Sequence, residues 1–295
     1  MINGVRLLSM QQINTPVLTM VASTDGVEVA AHDYGGSGPH IIFCHATGFH
    51  GRYWDPICTL LSEEFHCVSL DFRGHGDSTV PPDLSMDWNG MAQDLLSVVD
   101  HFKLEPTLAV GHSMGGSSIL LAEQIQPSTF KTAWLFEPIV ISPEIFTNKN
   151  SKGGGLAASA RKRKEIFSSR EEAYERYSSR PPFSGVDPDA LWAYVSYGFR
   201  EYDDGVILKC RGEIEAKVFE SSVTTIYENL ASVKTNVIVA GGGDQEGPAQ
   251  IAPNVAEALP NGRYEIFSQL THFAPMENPK LIAAKIRNVL IETLW

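Results

Sequence analysis

The chain has 295 residues, 43% of them hydrophobic, enough to bury a sizeable core as one large α/β domain or a core with a subdomain. Its 23 Lys and Arg against 35 Asp and Glu give a net charge of −12, which argues against nucleic acid and anionic membranes as partners. Met1 to Met20 has no apolar core of signal-peptide length, and no apolar run approaches about 18 residues, so a cytoplasmic protein is expected.

Along the chain, Val17-Leu18-Thr19-Met20-Val21 and Val27-Glu28-Val29-Ala30-Ala31 read as short strands around an Asp25-Gly26 turn. The register changes at His40 to Cys44, a continuous apolar strand of the kind covered on both faces. Tyr53 to Glu63 is predicted helical, Phe65 to Leu70 a strand, and Asp87 to Phe102 an amphipathic helix. The strand Pro106-Thr107-Leu108-Ala109-Val110, a helix Ser117 to Gln126 and the strand Thr132 to Phe136 follow. This alternation predicts a mostly parallel sheet with helices on both faces. Between Ile139 and Val233 it lapses into charged helical stretches, a Gly153-Gly154-Gly155 linker and loop signals such as Arg180-Pro181-Pro182. It resumes with a strand at 235–240, a helix Ala249 to Leu259, a strand at 264–267 and a closing helix Lys280 to Leu294. The expected organisation is a core of residues 1–138 and 234–295, interrupted by a helical cap or lid at 139–233.

Gly111-His112-Ser113-Met114-Gly115 lies where a strand meets a helix. Glycines flanking a serine permit the sharp turn that pushes its hydroxyl into a cleft, the geometry of a nucleophile elbow. A serine hydroxyl needs a base, and that base needs an acid to fix its tautomer. His272, between the last strand and the last helix, is placed at the same sheet edge and is the expected base. Two carboxylates compete for the acid. Asp244 follows the strand 235–240 and gives the chain order Ser, Asp, His, so it is the expected one. Glu137 follows the strand after the elbow helix and is the alternative. The expected oxyanion donors are the N–H groups of Met114, at the helix N-terminus, and of Thr47, in His45-Ala46-Thr47-Gly48-Phe49.

These residues, with Asp71-Phe72-Arg73-Gly74-His75-Gly76-Asp77-Ser78, carry a resemblance. From about residue 20 onward the chain resembles α/β-hydrolase-fold serine hydrolases of the capped group that includes esterases, C–C hydrolases, epoxide hydrolases and haloalkane dehalogenases. The resemblance implies an α/β-hydrolase fold with a mainly helical cap after the sixth strand. Both acid positions used within the group are filled, by Asp244 and by Glu137. Two departures stand out: Ala46 occupies the place of the group's usual glycine, and the elbow holds serine where epoxide hydrolases and dehalogenases hold aspartate. Serine suits acyl transfer and argues against those two chemistries. The Asp71–Ser78 turn is read as loop architecture, with Arg73 tying down carboxylates or carbonyls.

The expected function is therefore hydrolysis of a carboxylic ester, lactone or thioester through an acyl-enzyme, without metal or cofactor. A C–C bond hydrolase of vinylogous diketones is the alternative within enzymes, although Asn in place of His112 is more typical there. A weakly catalytic ligand-binding receptor is the alternative outside them. Phe49, Trp54, Met114, Trp192, Tyr194 and Phe199 are candidates to line the site for a small-molecule substrate. Lys149 to Pro181 carries nine cations against four glutamates, either a solvated surface or a basic lid that steers anionic substrates. Cys44, Cys58, Cys67 and Cys210 lack CxxC spacing and are expected as buried thiols. Oligomeric state has no signature in the chain.

Overall fold

The computed structural model describes residues 15–104, 108–143, 154–221, 225–244 and 247–294. The readings at residues 1–14, Pro106, Thr107, Lys149, Lys152 and Gly153 lie outside these. The first part of the chain runs β1 (Val17–Ala22), β2 (Glu28–Asp33), β3 (His40–Cys44), α1 (Asp55–Leu61), β4 (His66–Leu70), α2 (Trp88–Phe102), β5 (Leu108–His112), α3 (Met114–Ile125) and β6 (Thr132–Phe136). An inserted segment holds α4 (Gly154–Arg161), β7 (Ile166–Phe167), α5 (Arg170–Ser178), α6 (Pro188–Gly198), β8 (Phe199–Tyr202), β9 (Gly205–Leu208) and α7 (Gly212–Glu220). The chain then closes with β10 (Asn236–Gly242), α8 (Pro248–Ala258), β11 (Gly262–Phe267) and α9 (Pro279–Leu294).

The main sheet has the order β1-β2-β4-β3-β5-β6-β10-β11, with antiparallel pairs at β1–β2 and β2–β4 and parallel pairs from β4 to β11. The unbroken apolar strands follow from two-sided burial, because successive side chains point to opposite faces. Ile42, Cys44, Val68, Leu70 and Ala109 pack into one core with α2, α3 and α8. Ile41, Phe43, Cys67, Val110, Trp134 and Phe136 pack into the other with α1, α9 and α6. Each fully buried large apolar side chain contributes about 1.5–3 kcal/mol, so both faces are needed to hold the sheet. All four cysteines are free and buried.

Between β4 and α2, Arg73 does what its place in a Gly- and Asp-rich turn suggested. Its Nε and Nη2 donate to Asp94 at 2.9 Å each, and Nη1 donates to Asp25 at 2.8 Å. Arg73 and Asp94 are completely buried, so removing Arg73 leaves Asp94 an unpaired buried charge at a cost of about 3–5 kcal/mol.

The inserted segment is mainly helical, but it also contains an antiparallel sheet in the order β7-β9-β8, which the hydropathy pattern does not announce. The β8–β9 turn is Asp203-Asp204, with Asp203 at φ 44° and Tyr202 paired with Gly205. No helix among the described residues is long and apolar enough to cross a membrane.

Candidate active site

Ser113 stands one residue beyond β5, and its backbone is left-handed (φ 54°, ψ −118°). A non-glycine residue there costs of order 1–3 kcal/mol and persists only where the surroundings enforce it. Three contacts enforce it here. The Ser113 N–H donates to the Phe136 carbonyl at 2.9 Å, extending the β5–β6 ladder by one rung. A Cβ on Gly111 would lie 2.6 Å from Gly116 Cα, and one on Gly115 would lie 2.3 Å from the Cys44 carbonyl oxygen. Only glycine lets the elbow close against its own helix and against β3.

Glu137 repeats the device one strand over. It follows β6 at φ 46°, and its N–H donates to the Ala240 carbonyl at 2.8 Å. Its side chain is fully buried. Oε1 accepts from the Gly242 N–H at 2.7 Å and Oε2 lies 2.5 Å from His272 Nδ1. The Gly243 N–H donates to the Leu270 carbonyl at 2.8 Å, which draws the chain leading to His272 over the end of β10. Asp244, the expected acid, is brought elsewhere. It is exposed, and its carboxylate accepts from the backbone N–H of His272 at 3.2 Å rather than from the ring. The physical reason is strand position. β6 neighbours the elbow strand and ends beneath the imidazole, whereas β10 lies one strand further out and its continuation passes beside the backbone.

His112, next to the serine, fastens the two loops together. Its ring centroid lies 4.8 Å from that of His272. Nε2–H donates to the His272 carbonyl at 2.8 Å, and Nδ1 accepts from the Tyr53 hydroxyl at 3.1 Å. Burial, and then the neighbouring His272, push His112 well below the ordinary histidine range, so it stays neutral and keeps this donor–acceptor pattern. The sequence offered no signal for this link beyond its adjacency to Ser113.

Met114 is the first residue of α3, so its N–H has no acceptor within the helix. In the β3 loop, the Gly48 N–H donates to His75 Nε2 at 3.1 Å and the Phe49 N–H to the Ala46 carbonyl at 3.1 Å. His45 Nε2 accepts from the Phe72 N–H at 2.9 Å, and its Nδ1–H donates to Ala46. Burial lowers both His45 and His75, keeping each neutral with one acceptor nitrogen. Ala46 is absent from the positive-φ residues, so alanine takes the glycine position without left-handed strain.

Of the expected lining residues, Phe49 and Tyr194 meet beside His112. Phe49 lies 6.1 Å from the His112 ring and 5.1 Å from Tyr194, centroid to centroid. Phe183 and Phe273, which sequence reasoning missed, complete this seam at 5.5 Å from each other; adjacency to His272 was the available signal for Phe273. Of the other four, Met114 is fully buried at the start of α3 and three pack elsewhere. Trp54 is fully buried between Phe43 and Tyr53, and Phe199 is buried against Phe167. Trp192 stands on the outer side of α6 against Tyr174, 37% exposed.

Five cations of the inserted segment are paired with glutamates. Arg161 pairs with Glu213 and Glu220, Arg163 with Glu215, Lys164 with Glu172, Arg170 with Glu201 and Arg211 with Glu165.

Comparison with known proteins agrees with this fold. Residues 41–285 match the model of the alpha/beta hydrolase family. The bifunctional esterase/perhydrolase DCH of Acinetobacter calcoaceticus is 24% identical over 266 residues, covering 89% of this chain and 95% of that protein. The crystal structure of E-2-(acetamidomethylene)succinate hydrolase superposes with a TM-score of 0.79 at 19% identity, over 92% of this chain and 98% of that one. The esterase RhEst1 from Rhodococcus sp. ECU1013 does so with a TM-score of 0.72 at 19% identity, over 92% and 98%. With the family model spanning most of the chain and the eight-stranded sheet in place, this protein belongs to the alpha/beta hydrolase family.

Proposed function

We propose that the chain is a serine hydrolase that cleaves carboxylic esters or related acyl compounds through an acyl-enzyme, with Ser113 as nucleophile, His272 as base and Glu137 as the orienting acid. The reading rests above all on the contact between Glu137 Oε2 and His272 Nδ1. A proton held on Nδ1 by a buried carboxylate leaves Nε2 free to accept one, which is the tautomer a base for serine requires. In this mechanism His272 takes the Ser113 proton as Oγ attacks the carbonyl. The oxyanion collects between the N–H groups of Met114 and Thr47, worth roughly 10²–10³ in rate per donor. His272 then protonates the leaving group and activates the water that releases the acyl group. The inserted segment acts as a cap, its Tyr194 and Phe183 facing Phe49 and Phe273 across the seam. Perhydrolysis is a second reaction of the same triad, with peroxide replacing water. The name of the Acinetobacter calcoaceticus relative favours it.

A panel of p-nitrophenyl esters of rising acyl length, with lactones and thioesters, tests the reading. Turnover of at least one class is expected, and Ser113→Ala lowers kcat by about 10⁴–10⁶. No acyl turnover in folded protein points instead to the binding-protein reading, and turnover indifferent to Ser113→Ala removes Ser113 as the nucleophile. Because Arg161, Arg163, Lys164, Arg170 and Arg211 are each paired with a glutamate, kcat/KM for an anionic ester is expected to change less than about twofold between roughly 50 and 200 mM salt. A steep fall with salt would restore electrostatic steering by the cap.

A further inference from the structure

One buried cluster in the inserted segment, which includes the hydroxyl of Tyr194, lies outside the proton transfers described above. Arg163, just after α4, pairs with Glu215 of α7 through Nη1 and Oε2 at 2.5 Å, both side chains largely shielded from solvent. Arg163 Nη2 donates to the hydroxyl of Tyr194 at 3.1 Å and to that of Tyr177 at 3.3 Å. The Tyr194 hydroxyl donates onward to the carbonyl of Gly48 at 3.3 Å. Burial pushes that phenol upward, so it remains a donor. The backbone of the same tyrosine is tied to the same loop, since His50 Nε2–H donates to the Tyr194 carbonyl at 3.0 Å.

Gly48 is thus gripped from two sides. Its N–H is held by His75 from the core, and its carbonyl by Tyr194 from the inserted segment. It sits at φ 78°, and a Cβ there would lie 2.5 Å from Glu215 Oε1 and 3.5 Å from Arg163 Nη1, so the ion pair rests directly on its Cα.

We propose that Arg163, Tyr194 and Glu215 are positioning residues that lock the oxyanion loop, fixing Gly48 and with it the aim of the adjacent Thr47 N–H. The inference rests on the serine hydrolase reading. The Arg163–Glu215 pair carries no net charge, so it braces the loop without adding a field that would attract or repel substrate. A donor aimed at the oxyanion rather than at the ground-state carbonyl acts on kcat and leaves KM nearly untouched. Misplacement of such a donor by a fraction of an ångström to an ångström costs up to about a hundredfold.

The test measures kcat, KM and melting temperature for Tyr194→Phe, Arg163→Met and Arg163→Lys, on an ester the wild type hydrolyses. Expected are falls in kcat of about three- to tenfold for Tyr194→Phe and about ten- to hundredfold for Arg163→Met, with KM within about twofold and partial recovery in Arg163→Lys. Tyr194→Phe removes a single hydroxyl and is expected to lower the melting temperature by no more than a few degrees, so at an assay temperature well below it the loss of kcat does not come from unfolding. Unchanged kcat, or a rise in KM at constant kcat, overturns the proposal while Ser113-dependent turnover in the wild type leaves the hydrolase reading standing. Absence of that turnover in the wild type removes the hydrolase reading itself, and the proposal with it.

Discussion

Glu137→Gln is expected to lower kcat by about 10³–10⁴, and Asp244→Asn by no more than about tenfold. The amide of glutamine offers an N–H as readily as a carbonyl, so it no longer dictates that Nδ1 carry the proton. The imidazole then settles in the wrong tautomer or turns away from the serine. Glu137 is also a fixed point of the fold at this edge, since its other oxygen receives the Gly242 N–H. Glutamine keeps the carbonyl acceptor for that bond, so the folded state should survive. Asp244 touches only the backbone of His272. Its loss loosens the loop without disturbing the ring. Steady-state kinetics of the two variants with melting temperatures decides the matter, and a larger kcat loss at Asp244 would return the acid to β10.

Stability should fall steeply as pH drops from about 6.5 toward 4, a loss that begins well above the range in which ordinary carboxylates titrate. His45, His50, His75 and His112 are all buried, and burial lowers each below the usual histidine range, His50 to about 4. Each folded-state pKa lies below its unfolded counterpart, so in this window the unfolded chain binds more protons. Stability therefore rises with pH there and is lost as pH falls. His50 alone accounts for roughly 3 kcal/mol at the bottom of the window, and the other three act in the same direction. Urea unfolding at pH 7 and pH 5 measures the effect, with His50→Gln expected to flatten the dependence. A midpoint that does not move between those pH values would mean these histidines charge freely in the folded protein.

The parallel strands were legible because burial on both faces writes an unbroken apolar run, as in His40–Cys44 and Thr132–Phe136. The elbow was legible because a close backbone approach demands glycine at fixed offsets from Ser113. His272 followed from its place after the last strand. That Glu137 rather than Asp244 meets the His272 ring did not follow, because chain order tells which strand a carboxylate ends but not which strand end lies under the ring. Asp244 and Glu137 both occupy strand ends, and only the pairing of β5 with β6 separates them. The β8–β9 hairpin escaped notice because its strands are four residues long and one of them reads Phe-Arg-Glu-Tyr, charged toward solvent. The Asp203-Asp204-Gly205 turn was its single cue. Trp54 and Phe199 illustrate a different limit: an aromatic side chain filling a core and one lining a pocket have the same hydropathy.

Fluorophosphonate labelling followed by peptide mapping tests most directly whether these loops assemble a working nucleophile. The account predicts rapid, stoichiometric modification of the residue at position 113 in the wild type, none in Ser113→Ala, and labelling slowed by orders of magnitude in Glu137→Gln. A folded wild-type chain whose serine stays unmodified, or labels equally fast without the Glu137 carboxylate, would contradict it.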